Sequence, residues 1–168
     1  NSGAASVDLT GWALTDDPDI PDKWRLPPVT LGAGQFLVIF ASGKDRAATG
    51  AGARLHTNFK LADEGEYLGL YDAGSPRAVV SEFAPRFPET RNDYSYGLAA
   101  EGAGRYFSPP TPGAANGSSP ITGVVSQVEF SLPHGFYDAP FDLTLSSATA
   151  DSTIRYTADG SEPTSVSG

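Results

Sequence analysis

The feature that most constrains this chain is the rhythm of its apolar residues. They come in short runs separated by Gly, Pro, Asp and Ser, and helical periodicity is hard to find. Val7 and Leu9 alternate with polar neighbours, and Trp12 and Leu14 then take the opposite phase. The switch falls at Gly11, which predicts a bulge or bend there. Leu55, Thr57, Phe59 and Leu61 alternate with His56, Asn58 and Lys60, the pattern of a half-buried strand. Leu68 and Leu70 alternate with Tyr67 and Tyr71 after a D-E-G turn. The unbroken run Phe36 to Ala41 predicts a central strand buried on both faces. Val79–Phe83, Ser95–Gly97 and Arg105–Ser108 add three more candidate strands. Many short strands need many turns, and 19 glycines and 14 prolines supply them. The expected fold is all-β, an immunoglobulin-like sandwich.

Pro109 to Pro120 reads P-P-T-P-G-A-A-N-G-S-S-P. Proline removes ladder donors and Gly and Ser raise chain entropy, so a packed strand is not expected there. The predicted organisation is a first domain over 1–116, a linker over 117–124 and a second unit over 125–168. After the joint the strand pattern restarts with Val128, Phe130 and Leu132, then Phe141, Leu143 and Leu145, then Ile154 and Tyr156. Asp159-Gly160 reads as a turn. Three strands do not close a sandwich, so this second Ig-like unit is expected to be incomplete. Charge also shifts at the joint. Residues 1–116 hold ten basic and fourteen acidic groups, net −4, and residues 117–168 hold one and six, net −5.

Several function classes are disfavoured. A net charge of −9 with scattered Lys and Arg argues against nucleic acid and against anionic membrane surfaces. The absence of cysteine excludes disulfides, thiolate zinc sites and cysteine nucleophiles. No apolar run approaches the ~20 residues of a membrane helix. The chain begins at Asn1 without Met and reads as an excised piece.

Seven blocks in order resemble the lamin-tail domain family of bacterial exported proteins. They are V-D-L-T-G-W-A-L-T-D-D (Val7 to Asp17), K-W-R-L-P (Lys23 to Pro27), L-V-I-F-A-S-G-K-D-R (Leu37 to Arg46), L-H-T-N-F-K-L (Leu55 to Leu61), G-E-Y-L-G-L-Y-D (Gly65 to Asp72), D-Y-S-Y-G (Asp93 to Gly97) and P-T-P-G-A-A-N (Pro110 to Asn116). The resemblance covers residues 1–116. Members of that family carry one or two further strands upstream, which are missing here, and Leu98 stands where a basic residue is usual. The second unit is similar to the Ig-like domain at the C-termini of chitobiase and β-hexosaminidase relatives. That similarity rests on V-E-F-S-L-P-H-G-F-Y-D-A-P-F-D-L-T-L (Val128 to Leu145) and I-R-Y-T-A-D-G-S-E-P-T (Ile154 to Thr164). It implies an accessory β module and not the hydrolase barrel.

Candidate chemistry is sparse. His56 lies on the polar phase of its strand, and no G-x-S-x-G elbow or H-E-x-x-H motif accompanies it, so a structural role outweighs a catalytic one. His134 lies in a P-H-G turn and is expected to be solvated. Asp16, Asp17, Asp19 and Asp22 share a Pro-punctuated loop where calcium binding is conceivable, although Asx-turns and pairing with Lys23 and Arg25 are favoured. Asp63, Glu64 and Glu66 crowd one turn and do not face each other across a cleft as glycosidase carboxylates must. Trp12 and Trp24 are expected in the core, with a sugar-stacking platform as the weaker alternative. Tyr94, Tyr96, Arg105 and Tyr106 form the better candidate for exposed aromatics. Ser42 to Arg46, S-G-K-D-R, is a polar turn lacking the full phosphate-loop pattern.

No catalytic, cofactor or metal residue is assigned. The expected function is a non-catalytic binding or spacer module of a secreted or surface-displayed bacterial protein. It would contact protein partners or, alternatively, dock polysaccharide for a secreted hydrolase.

Overall fold

A computed structural model describes residues 1–48, 50 and 52–165. The chain divides into two compact units, Asn1–Thr122 and Gly123–Gly168. Among the described residues there is no helix, and the elements are short strands in mostly antiparallel sheets, as the Ig-like sandwich expectation required.

In the first unit, β1 (Val7–Asp8) pairs antiparallel with β4 (Thr30–Leu31). A four-stranded antiparallel sheet runs in the order β3 (Trp24–Arg25), β2 (Ala13–Thr15), β7 (Leu68–Tyr71) and β8 (Val79–Phe83). β5 (Ile39–Phe40) and β6 (Leu55–His56) form a parallel pair, and β9 (Ser95–Leu98) and β10 (Gly104–Phe107) an antiparallel one.

The core gathers Leu9, Trp24, Leu26, Leu55 and Phe59, with Val7, Trp12, Leu14, Ile39, Leu61 and Leu68 packed around it. The phase switch at Gly11 works as expected. Its backbone is left-handed, φ 75°, a conformation glycine adopts without steric cost. Around it Gly11 N–H donates to Leu26 O (3.1 Å) and Leu26 N–H to Trp12 O (2.7 Å), so Leu9 and Trp12 both reach the core cluster. Alternation also holds over Leu55, Thr57 and Phe59, which are all buried. Thr57 is tolerated there because its hydroxyl donates to Phe59 O at 2.6 Å. At β7 it is Tyr71, and Tyr67 just before the strand, that are buried, while Leu68 and Leu70 are half-buried. The two phenols meet at 2.9 Å, and Tyr67 donates to Glu82 Oε2 at 2.9 Å.

The run Phe36 to Ala41 differs from expectation. Only Ile39 and Phe40 are in a strand, and Phe36, Val38 and Phe40 are exposed, Phe36 by 51%. Among the described residues β5 has one ladder neighbour, and the core lies on one side of it. Leu37 and Ile39 therefore pack inward while the alternate residues face water. The first unit also extends beyond residue 116, because Ile121 exchanges both backbone hydrogen bonds with Tyr106 (3.0 and 2.9 Å) inside the segment expected to be linker.

In the second unit β11 (Glu129–Phe130) pairs antiparallel with β12 (Leu145–Ser146), continued by Ser131 N–H to Thr144 O at 3.0 Å. Residues 154–156 are not in a strand, and none of the unit's described residues is buried. The Asp159-Gly160 turn forms with Gly160 at φ 78° and Asp159 Oδ1 accepting from Ser161 N–H at 3.0 Å.

Candidate functional site

One convergence of polar groups in the first unit surrounds His56. Arg46 and His56 exchange backbone hydrogen bonds in both directions (2.8 and 2.9 Å). Directly opposed residues put their side chains on one face, with Cα atoms about 5.5 Å apart in such a pair. Parallel pairing of β5 and β6 sets Phe40 beside His56, and the two rings stack at 5.0 Å with 22° between planes. Arg54, two residues before His56, holds its guanidinium 5.8 Å from the Phe40 ring centroid. Ser42 Oγ lies 2.8 Å from His56 Nδ1.

The Ser42–His56 contact resembles the first half of a nucleophile–base pair. Its surroundings are wrong for a base, because the groups acting on the imidazole are cations. Partial burial pushes His56 below its ordinary value of 6.5, and Lys44, Arg46 and Arg54 push it the same way. Among the described residues no carboxylate orients this ring, whereas acyl-transfer catalysis needs one to hold the tautomer and stabilise the imidazolium. An open cleft of about 570 Å³ lies against these groups, lined by Asp45, Arg46, Arg54 and His56 among others. Sequence reading treated S-G-K-D-R and His56 separately and missed the cleft. The available signal was four cations, Lys44, Arg46, Arg54 and Lys60, with one acid, Asp45, between residues 42 and 60.

The other candidates fall apart or are buried. Asp16 pairs with Lys23 (2.5 Å), Asp22 with Arg25 (2.6 Å), and Asp17 Oδ1 accepts from Asp19 N–H (3.0 Å). Among the described residues no three His, Asp or Glu side chains are placed to hold a metal. Glu66 Oε1 accepts from Ala62 N–H, and Asp63 and Glu64 are exposed, with their carbonyl oxygens accepting from Thr90 and Arg86. Trp24 is buried and Trp12 half-buried.

Tyr94, Tyr96 and Tyr106 are not the exposed cluster that was expected. The β9–β10 register puts Tyr96 opposite Tyr106, and the rings meet edge to face at 5.1 Å. Tyr106 is buried and donates to Glu89 O at 2.7 Å, and Tyr94 and Tyr96 are half-buried. Arg105 sits 3.7 Å from Glu101.

A cluster of exposed aromatics is instead found in the second unit. An open groove of about 910 Å³ is lined by Phe130, Leu132, Phe136, Tyr137, Phe141 and Leu143, with His134 on its rim. Tyr137 and Phe141 pack at 4.4 Å, and Tyr137 is anchored by donating to Pro133 O at 2.5 Å. Phe136 is fully exposed. It occupies the loop between β11 and β12, outside the strand alternation, so core formation does not explain it.

The chitobiase/β-hexosaminidase C-terminal domain family matches residues 132–168, a span that includes most of this groove. An endoglucanase of Clostridium saccharobutylicum is 47% identical over 51 residues, which are 30% of this chain and 11% of that enzyme's length. No solved structure matches.

Proposed function

We propose that this chain is a non-catalytic accessory region of an exported polysaccharide-acting protein, and that its second unit docks a neutral glycan. The observation that carries the proposal is the ring strip Phe136, Tyr137 and Phe141, held at the surface by a loop and lining an open groove. Flat apolar faces next to a few polar groups suit sugar rings, whose C–H faces are apolar and whose edges carry hydroxyls. Supporting it are the C-terminal domain family over 132–168 and the partial similarity to an endoglucanase. The first unit, as a lamin-tail-type sandwich, would space and present this module.

The test is affinity electrophoresis and pull-down on β-1,4-glucan and chitin. Retardation by one of them, lost in Phe136→Ala combined with Tyr137→Ala, is expected, without release of reducing sugar. Indifference to both glycans, or turnover by the chain, would defeat the proposal.

A second reading, protein contact, is favoured by β8. It is hydrogen-bonded on one side to β7, and Val79 and Val80 are exposed along it, which is the geometry for strand addition. Val80→Pro should abolish any partner binding that uses this edge and leave glycan retention intact.

A further inference from the structure

We propose that the cleft at Arg46, Arg54 and His56 in the first unit binds an anionic sugar residue, one bearing a carboxylate or a sulfate ester. Four of the chain's eleven cations lie between residues 42 and 60 with one of its twenty carboxylates, so this patch reverses the sign of an otherwise acidic molecule. Elsewhere Lys23, Arg25, Arg91 and Arg105 each hold an acidic side chain, and Arg77, Arg86 and Arg155 donate to carbonyl oxygens. Among the described residues Lys44, Arg46 and Arg54 hold none, and Arg46 and Arg54 line the cleft.

The backbone and rings beside the cleft are held in place. The paired backbone exchange positions Arg46 against His56, the Phe40 ring carries both the His56 ring and the Arg54 guanidinium, and Ser42 engages Nδ1. A ring beneath a guanidinium leaves its in-plane N–H donors free for a bidentate oxyanion. With Ser42 Oγ–H donating to Nδ1, the neutral imidazole keeps Nε2–H as a further donor.

Phe40 favours a sugar over a bare anion. It stands beside the cleft, stacked on His56 and near Arg54, and its exposed part adds apolar surface next to the charged lining. The volume of about 570 Å³ falls within the ~300–1,000 Å³ of small-ligand sites. Two arginines lining one cleft, with Asp45 also in the lining, do not make the extended basic face that nucleic acid requires.

The sugar assignment rests on the proposed polysaccharide role, whereas the cleft does not, and the experiment separates the two. Isothermal calorimetry on the full chain at low salt would compare trigalacturonate, a sulfated chitobiose, neutral cellotriose, inorganic phosphate and a twelve-nucleotide single-stranded DNA. The expected result is binding of trigalacturonate or sulfated chitobiose, the stronger of the two identifying the anion. Arg46→Ala and Arg54→Ala should each weaken it about tenfold, in line with loss of a charge-assisted pair. Phe40→Ala should weaken the sugar anions, and Phe136→Ala should leave them unchanged. Both arginines are exposed, so a melting curve like that of the parent chain is expected for each variant. Equal affinity for cellotriose, tighter binding of phosphate or DNA, or indifference to both arginine variants would each overturn the proposal. Loss of glycan docking through Phe136 with acidic-sugar binding retained would instead remove the neutral-glycan function alone.

Discussion

In the first unit Trp24 is 3% exposed and Phe59 6%, while in the second Phe130 is 62% exposed and Phe136 fully so. The strand patterns in the sequence are alike in the two regions. The difference lies in what stands opposite. Leu9, Leu26, Leu55 and Phe59 come from separated parts of the chain and cover Trp24, whereas Phe130, Phe141 and Leu143 face an open groove. Apolar patterning provides a face, and burial needs a second face to meet it. The second unit's rings therefore remain at the surface where the first unit's contribute cohesion.

Mutation should expose that asymmetry most strongly at the large rings. Trp24→Ala leaves a cavity under a covered side chain and should cost about 3–5 kcal/mol in urea unfolding followed by circular dichroism. Phe136→Ala removes a ring with nothing packed over it and should change stability by no more than about 0.5 kcal/mol. Comparable losses at both positions would mean that the second unit has a cohesive core after all.

The same contrast shows what could be read from residues alone. The bend at Gly11, the buried phase Leu55–Thr57–Phe59 and the strands Val79–Phe83 and Ser95–Gly97 were legible, because local period and turn chemistry determine them. The exposure of Phe36 and Val38 was not, because a continuous apolar run does not say how many sheet neighbours it will have. Tyr96 and Tyr106 were misplaced for a related reason. Their burial follows from a cross-strand register that pairs ring with ring. The cleft at His56 is lined by the loop between β5 and β6 and by β6 itself, and the bridge that sets Arg46 opposite His56 lies outside the regular strands, where residue alternation gives no signal.

A smaller but sharp test concerns one backbone crossing in the first unit. Gly65 is buried at φ 87°, and a Cβ there would lie 1.9 Å from Phe87 O, a rigid backbone atom whose own N–H donates to Glu66 O. Gly65→Ala should therefore cost at least about 2 kcal/mol through combined strain and displacement. Gly160, also at positive φ, has open space around its Cβ position, so Gly160→Ala should cost about 1 kcal/mol from dihedral strain alone. Equal losses would show that the second unit is as tightly packed as the first.

Smaller again is the effect of buried polar atoms. Trp24 Nε1 is buried with no hydrogen-bond partner among the described residues, while Thr57 Oγ1 is satisfied by Phe59 O. Thr57→Val should cost about 1 kcal/mol, the net worth of a typical internal hydrogen bond. Trp24→Phe gives up ring volume but also an unpaired donor, so it should lose clearly less than Trp24→Ala. If Trp24→Phe proved as damaging as Trp24→Ala, ring volume at that site would not be what covers the core.

The slightest expected effects are those of pH, and they fall mainly on the first unit. Asp8, Asp22 and Asp72 there, and Asp159 in the second unit, are held below the ordinary carboxylate value of 3.8 by hydrogen bonds: from Thr10, Arg25, the Ala78 and Gly74 amides, and Ser161, respectively. A depressed carboxyl stabilises the fold above its unfolded value, and that contribution is lost as pH falls through the folded one. Asp72→Asn should thus flatten the acid limb of the first unit's stability below pH 3.8. His56 runs in the same direction at higher pH. Its folded value lies below the ordinary 6.5, so the unfolded chain binds the proton more readily and stability declines as pH drops from 6.5 toward the folded value. A proton NMR titration of the His56 ring should give a midpoint under 6.5. Added salt should raise that midpoint by screening Lys44, Arg46 and Arg54, yet not fully restore it, since partial burial of the ring is the larger cause. A midpoint above 6.5 without added anion would mean that carboxylates, not cations, dominate the field in the cleft.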